Sequence, residues 1–167
     1  MKTLRAEISD AEAMLIYLRE LRAENLETIL RHGSLPSIEE QRAFIEEHSG
    51  KEGAIFVALE NESIIGVLSV QRSSHSQLRH CCEFGIGVLK KYRGRGVGTK
   101  LIEEMESWCQ SEGIERIELS VLRNNPGAIS LYERLGFKLE GCKKGAVRIG
   151  SCYVDLLEMA KLTGSNK

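Results

Sequence analysis

Residues Lys90–Leu101 read KKYRGRGVGTKL, with Gly94, Gly96 and Gly98 at alternating positions among arginines. Upstream, Cys81–Leu89 (CCEFGIGVL) is a mostly apolar run; downstream, Leu101, Ile102, Met105, Trp108 and Cys109 recur at helical spacing. The glycines therefore stand where a strand gives way to a helix. Glycine is kept at such a place when backbone must come close to something. A strand, a glycine-rich turn and a helix start together make an anion site. The first helical N–H groups lack partners, and the helix dipole adds partial positive charge. Arg93 and Arg95 add charge of the same sign, so the run predicts a ligand bearing a phosphate or pyrophosphate. It is not a Rossmann fingerprint, because the third glycine of G-x-G-x-x-G falls on Thr99. The P-loop spacing is missing too. Taken alone, the run also fits a tight turn with no ligand.

Outward from this stretch the pattern is mixed. Leu4, Ala6 and Ile8 alternate with polar residues, predicting a first strand. Ser9 or Asp10 then caps a helix with Met14, Leu15, Leu18 and Leu21 on one face. Ser37 and Glu40 have capping-box spacing and open a second helix through about His48. Gly53–Glu60 and Ser63–Gln71 predict a hairpin covered on both faces. Cys81–Leu89 is a fourth strand, with Gly85 and Gly87 inside it marking a bulge or a close approach. A helix from Gly98 closes at Gly113, and Ile114–Leu122 is a fifth strand. Asn125-Pro126 opens a helix over Ala128–Leu135, stopped by Gly136. Phe137–Val147 and Ser151–Lys161 form a last hairpin. Residues 1–162 read as one domain and 163–167 as a frayed tail.

Composition narrows the function classes. The 167 residues are 42% hydrophobic and 28% charged, ordinary for a globular domain. A net charge of −1 argues against a general nucleic-acid binder. The five cysteines lack metal-site spacing: Cys81 and Cys82 are adjacent, and no CxxC occurs. They read as small buried residues of a reducing compartment, and no metal is expected. Neither a signal-peptide pattern nor an apolar run of the roughly 18 residues of a membrane span is present, so a cytoplasmic protein with no membrane partner is expected.

Arg93-Gly94-Arg95-Gly96-Val97-Gly98, after Gly85-Ile86-Gly87-Val88, resembles the R/Q-x-x-G-x-G/A acetyl-CoA signature of the GNAT acetyltransferase superfamily. Asn125–Phe137 (NPGAISLYERLGF) is similar to that family's N-x-x-A-x-x-L-Y-x-x-x-G-F segment, in the family's order and at a usual spacing. The resemblance covers nearly the whole chain. It implies an α/β (α+β) fold: a mixed, mostly antiparallel seven-stranded sheet, splayed between strands 4 and 5 and flanked by four helices. It further implies that Ile86, Gly87 and Val88 hold the pantetheine arm like an added strand. Arg93, Gly94, Arg95, Gly96, Val97, Gly98 and Thr99 would wrap the pyrophosphate, and Asn125 would lie beside pantetheine.

Acetyl transfer from a thioester to an amine needs a base for the ammonium, a donor for the carbonyl oxygen and a proton or hydrogen bond for the departing thiolate. By resemblance, the Val88 N–H serves the carbonyl and Tyr132 the thiolate; a packing role is the alternative for Tyr132. Glu83, inside an apolar run, is the candidate base, acting through water. A structural ion pair, or simple attraction of the ammonium, would also account for it. The ribosomal-protein acetylases of this superfamily carry glutamate on the fifth strand, where this chain has Ser120. His80 could assist Glu83 from the start of its strand. On the acceptor side, Glu24 and Glu27 could attract an amine, Tyr153 and Asp155 could border the pocket, and Lys143, Lys144 and Arg148 suggest tolerance of an acidic group. The expectation is an acetyl-CoA-dependent N-acetyltransferase acting on a small-molecule primary amine by direct transfer. A protein N-terminal or lysine acetylase and a non-catalytic acyl-CoA sensor are the alternatives. A homodimer is compatible with the resemblance.

Overall fold

The computed structural model describes residues 1–24 and 34–163. The chain runs β1 (Lys2–Arg5), α1 (Ala11–Ala23), α2 (Ile38–Glu47), β2 (Gly53–Glu60), β3 (Ser63–Arg72) and β4 (Cys81–Val88). It continues as α3 (Val97–Ser111), β5 (Arg116–Leu122), α4 (Pro126–Arg134), β6 (Lys138–Ile149) and β7 (Cys152–Leu162). The strands form one seven-stranded sheet in the order β1-β2-β3-β4-β5-β7-β6. Neighbours are antiparallel except β4 and β5, which pair in parallel only over Cys81–Glu83 and Arg116–Glu118. Past Glu83 the two strands separate, and this splay positions everything that follows.

Each face of the sheet has its own core. On one side α3 lays down Leu101, Ile102, Met105 and Cys109, all 0% exposed, against Phe137, Ile117 and Leu119. Full burial of such aliphatic side chains stabilises by about 1.5–3 kcal/mol each. On the other, Ala11, Met14 and Tyr17 of α1 and Ile45 of α2 meet Ile55, Val57 and Ile64. Alternate residues of β2 therefore enter different cores, which explains its unbroken apolar run.

Two expectations near the N-terminus fail for one reason. The Asp10 carboxylate accepts from the Glu7 backbone N–H at 2.8 Å, closing a short turn over Ile8–Asp10. That turn ends β1 at Arg5, leaves Ile8 45% exposed, and uses Asp10 backwards rather than as a side-chain cap for α1. The buried face of α1 is centred on Met14 and Tyr17, with Leu18 and Leu21 at its edge and Leu15 outside that cluster. At α2 the Ser37–Glu40 capping box is present in both directions. At the far end Thr163 is held by the carbonyls of Glu115 and Ile114 instead of fraying; residues 164–167 lie outside the described residues.

Candidate functional site

The splay leaves one side of β4 without a strand. The Leu89 N–H donates to the Ile65 carbonyl at 3.0 Å, so Leu89 and Gly87 turn their backbone groups to β3. By alternation Ile86 and Val88 turn theirs the other way, into the gap beyond the last β4–β5 pair. A cleft of about 710 Å³ opens there, between β4, β5 and the N-terminal ends of α3 and α4. Arg93 reaches back into it, donating from Nε to the Val88 carbonyl at 2.8 Å while Nη2 pairs with Glu24 at 3.2 Å. Glu24 in turn accepts from the Lys90 N–H at 2.7 Å.

The glycines of the turn serve two different needs. Gly94 and Gly96 have φ of +71° and +80°, a region that costs other L-residues about 1–2 kcal/mol. A Cβ on either would meet nothing within 4 Å, so the space in front of them is open. Gly98 is ordinary helix, but its Cβ would stand 3.0 Å from Leu131 Cδ2; it lets α3 and α4 close on each other. The first backbone bond within the helix runs from Lys100 N–H to the Gly96 carbonyl at 3.1 Å. The N–H groups of Val97, Gly98 and Thr99 thus have no acceptor within the helix, and they lie where the dipole is positive. Donors, open space and a bare strand edge together fit an extended ligand with a phosphate end and an amide-bearing arm.

Asn125 lines the same cleft and accepts from the Ala128 N–H at 3.2 Å, capping α4 with Pro126 in its first turn. Its NH₂ is what remains for a ligand. Tyr132, about two turns further, is 7% exposed and packs edge-on to Phe84 and Phe137, with ring centroids 5.9 Å away in both cases. Burial pushes its phenol up to about 12. Its hydroxyl makes no hydrogen bond among the described residues. The aromatic packing is thus present without the backbone partner that a purely structural tyrosine would have.

The other half of the cleft is polar: Ser69, Gln71, Glu83, Ser120 and His48 line it. Glu83 is exposed, on the sheet face that no helix among the described residues covers beyond β4. Gln71 stands opposite it in the ladder. His48 ends α2, its Nδ1 2.8 Å from the Phe44 carbonyl and its ring 4.1 Å from that of Phe44. Ser120 Oγ donates to Glu158 Oε2 at 2.9 Å. Sequence reasoning missed Gln71, His48 and Glu158, since nothing local marks them.

A sequence model of the acetyltransferase (GNAT) family matches residues 16–137, most of the chain. The protein belongs to the GNAT family. An L-amino acid N-acetyltransferase of Escherichia coli is 36% identical over 108 residues, 64% of this chain and 66% of that protein. An N-alpha-acetyltransferase of Saccharolobus solfataricus is 32% identical over 139 residues, 77% of this chain and 83% of that protein. A GNAT-family acetyltransferase from Streptococcus pneumoniae superimposes with a TM-score of 0.90 at 29% identity, covering 96% of this chain and 98% of that one. The yncA protein of Salmonella typhimurium, solved with its cofactor acetyl-CoA, has a TM-score of 0.88 at 18% identity, covering 99% and 95%. The chain spans 66% of the first of these curated relatives.

Within this GNAT fold several other expected residues lie apart from the cleft. Arg95 pairs with Glu60 at 3.2 Å and sits over the Tyr92 ring instead of lining it. His80 gives its carbonyl to the Glu115 and Arg116 N–H groups and is not at the cleft wall. Tyr153 is 69% exposed. Asp155 gathers the Gly145 N–H at 3.0 Å, Lys144 at 2.9 Å and Arg123 at 3.3 Å, clasping a bulge of β6. The Gly145 backbone bond first, and Lys144 after it, hold its carboxyl down at about 2. Lys143 pairs with Glu158 at 2.8 Å, and Arg148 donates to the Gly150 carbonyl. Glu27 falls outside the described residues. Cys81, Cys82 and Cys109 are buried, and apolar burial raises the Cys81 thiol. None of the five cysteines lines the cleft among the described residues. Nor do those residues place three or more His, Cys, Asp or Glu side chains together as a metal site.

Proposed function

We propose that the protein transfers acetyl from acetyl-CoA to the primary amine of a small molecule, an amino acid, polyamine or related amine, inside a ternary complex. The observation that carries this is the meeting of three things in one cleft: a β4 edge, N–H groups at the start of α3 and a Tyr132 hydroxyl, none of them paired among the described residues. Ile86 and Val88 offer backbone to the pantetheine amides. Val97, Gly98 and Thr99 offer N–H groups to the pyrophosphate, with Gly94 and Gly96 leaving it room. Arg93, released from Val88 and Glu24, supplies mobile charge beside it, and Asn125 turns its NH₂ to the arm.

The Val88 N–H meets the thioester oxygen as it gains negative charge; one such donor is worth about 3 kcal/mol at the transition state. Tyr132 donates its hydroxyl to the departing sulfur. At about 12 its proton is held tightly, against roughly 8.5 for an ordinary thiol. A hydrogen bond that stabilises the thiolate is therefore favoured over outright transfer. Glu83, exposed at the cleft wall, attracts the incoming ammonium. With no cysteine at the cleft wall, the amine attacks the thioester directly. The setting is taken as cytoplasmic, and a homodimer is compatible with the exposed sheet edges.

The relationship to the archaeal N-alpha-acetyltransferase over 77% of this chain favours a second reading, acetylation of protein N-termini. Thiol release from acetyl-CoA, measured against amino acids, polyamines, aminoglycosides and short peptides with CoA binding followed alongside, separates the two. Turnover with one small-amine class supports the proposal, and turnover with peptides alone supports the second. Binding without release across the panel points to a sensor, and failure to bind acetyl-CoA overturns every version.

A further inference from the structure

Glu83 lines the cleft itself, but a second carboxylate, Glu158, reaches it through a hydroxyl on its wall. Glu83 and Glu118 are partners in the short parallel ladder, so Ser120, two residues on, faces the same side of the sheet and lines the cleft across the splay. In the β5–β7 ladder Ser120 lies directly opposite Glu158. The Ser120 hydroxyl donates to Glu158 Oε2 at 2.9 Å, and Lys143 Nζ lies 2.8 Å from Oε1. With its proton committed to Glu158, Ser120 Oγ has only lone pairs left for the cleft, which makes it an acceptor for an incoming N–H.

We propose that Ser120, backed by Glu158, is the amine-side proton acceptor of this site, and that a cationic acceptor displaces Lys143 from Glu158 as it binds. The inference rests on the acetyl-transfer reading above. The first proton is carried off by the two side chains. The ammonium N–H bond breaks as a new O–H bond forms at Ser120 Oγ, while the original Ser120 proton moves to Glu158 Oε2. The freed nitrogen lone pair then forms the C–N bond as the C–S bond breaks, and the surplus proton left on that nitrogen passes to the departing sulfur, which leaves as the CoA thiol. Lys143 has the chemistry of the acceptor itself, a primary ammonium. It is 64% exposed, so its pair with Glu158 is cheaply exchanged for another. Glu83 of β4 also bears on Lys143, and with Glu158 it raises the Lys143 ammonium. Glu118 is taken by Arg116 at 2.5 Å and Asp155 by Lys144, so neither competes for the position.

Steady-state thiol release with the best amine is compared for wild type, Glu158→Gln, Glu158→Ser and the swap Ser120→Glu with Glu158→Ser. Glu158→Gln and Glu158→Ser are expected to lower kcat about a hundredfold with KM for acetyl-CoA unchanged. The swap, which returns a carboxylate to the same place from the other strand, is expected to recover at least about tenfold of that loss. A purely structural Glu158 gives no such recovery. Retention of kcat within about twofold in Glu158→Gln, or no recovery in the swap, overturns the proposal. Calorimetric titration of CoA-saturated protein with 1,4-diaminobutane needs no turnover. Lys143→Met is expected to bind it about fivefold tighter than wild type and Glu158→Gln about fivefold weaker. Equal affinities, or no binding to wild type and Lys143→Met alike, overturn the displacement. A protein that binds acetyl-CoA and the diamine in this order but releases no thiol refutes the catalytic step along with the acetyl-transfer reading, and leaves the ammonium site standing.

Discussion

Tyr132 lines the cleft and its hydroxyl has no hydrogen-bond partner among the described residues, so its removal orphans no group among them. Tyr132→Phe is therefore expected to spare folding and acetyl-CoA KM while lowering kcat by about a hundredfold, the scale of a lost donor. Unchanged kcat would remove Tyr132 from the chemistry. Its pH behaviour follows from the direction of the shift. A phenol raised by burial to about 12 keeps its proton throughout the working range. The kcat/KM profile should thus show no alkaline fall from Tyr132 below about pH 10, the ordinary tyrosine value. A descending limb near 9 that vanishes in Tyr132→Phe would contradict this.

At the level of elements, two local devices invite measurement. The missing Cβ of Gly98 leaves room for Leu131 where α3 and α4 approach. Gly98→Val and Leu131→Ala should be non-additive in stability by about 1 kcal/mol in a double-mutant cycle of denaturant melts; additivity would mean the helices part freely. The Asp155 clasp gives a pH signature. Its carboxyl titrates below its ordinary value, at about 2. Its contribution is therefore present above the unfolded carboxylate range near pH 4 and is lost as pH falls through about 2. The Tm gap between wild type and Asp155→Asn should be open at pH 7 and closed by about pH 2. The glycine turn, α4 and the capped α2 could be read from sequence because each depends on chemistry within a few neighbouring residues. Ile8 was misassigned to a strand because the competing hydrogen bond from the Glu7 N–H to Asp10 carries no period. The exposure of Glu83 could not be read, because an apolar run says nothing about which face a helix leaves bare. Glu158 was invisible for a different reason: it meets Ser120 only through ladder register, 38 positions away.

For the whole molecule, the sheet is two half-sheets joined by three residue pairs of β4 and β5. A ligand that lies along the β4 edge and the α3 N-terminus stabilises only the folded arrangement. At about 100 times Kd, acetyl-CoA should add about 2.7 kcal/mol, or about 5–11 °C in Tm for a domain of this size. A scanning-fluorimetry shift below about 2 °C at that ratio would argue that the site is not formed as described. The splay also has a consequence for time. The amides of Ile86 and Val88 belong to a strand buried deep in sequence order, yet no neighbouring chain shields them. In deuterated solvent they should exchange like loop amides while Gly87 and Leu89, bonded to β3, stay protected for far longer. Saturating CoA should erase that alternation, turning a two-beat pattern along one strand into a uniform one.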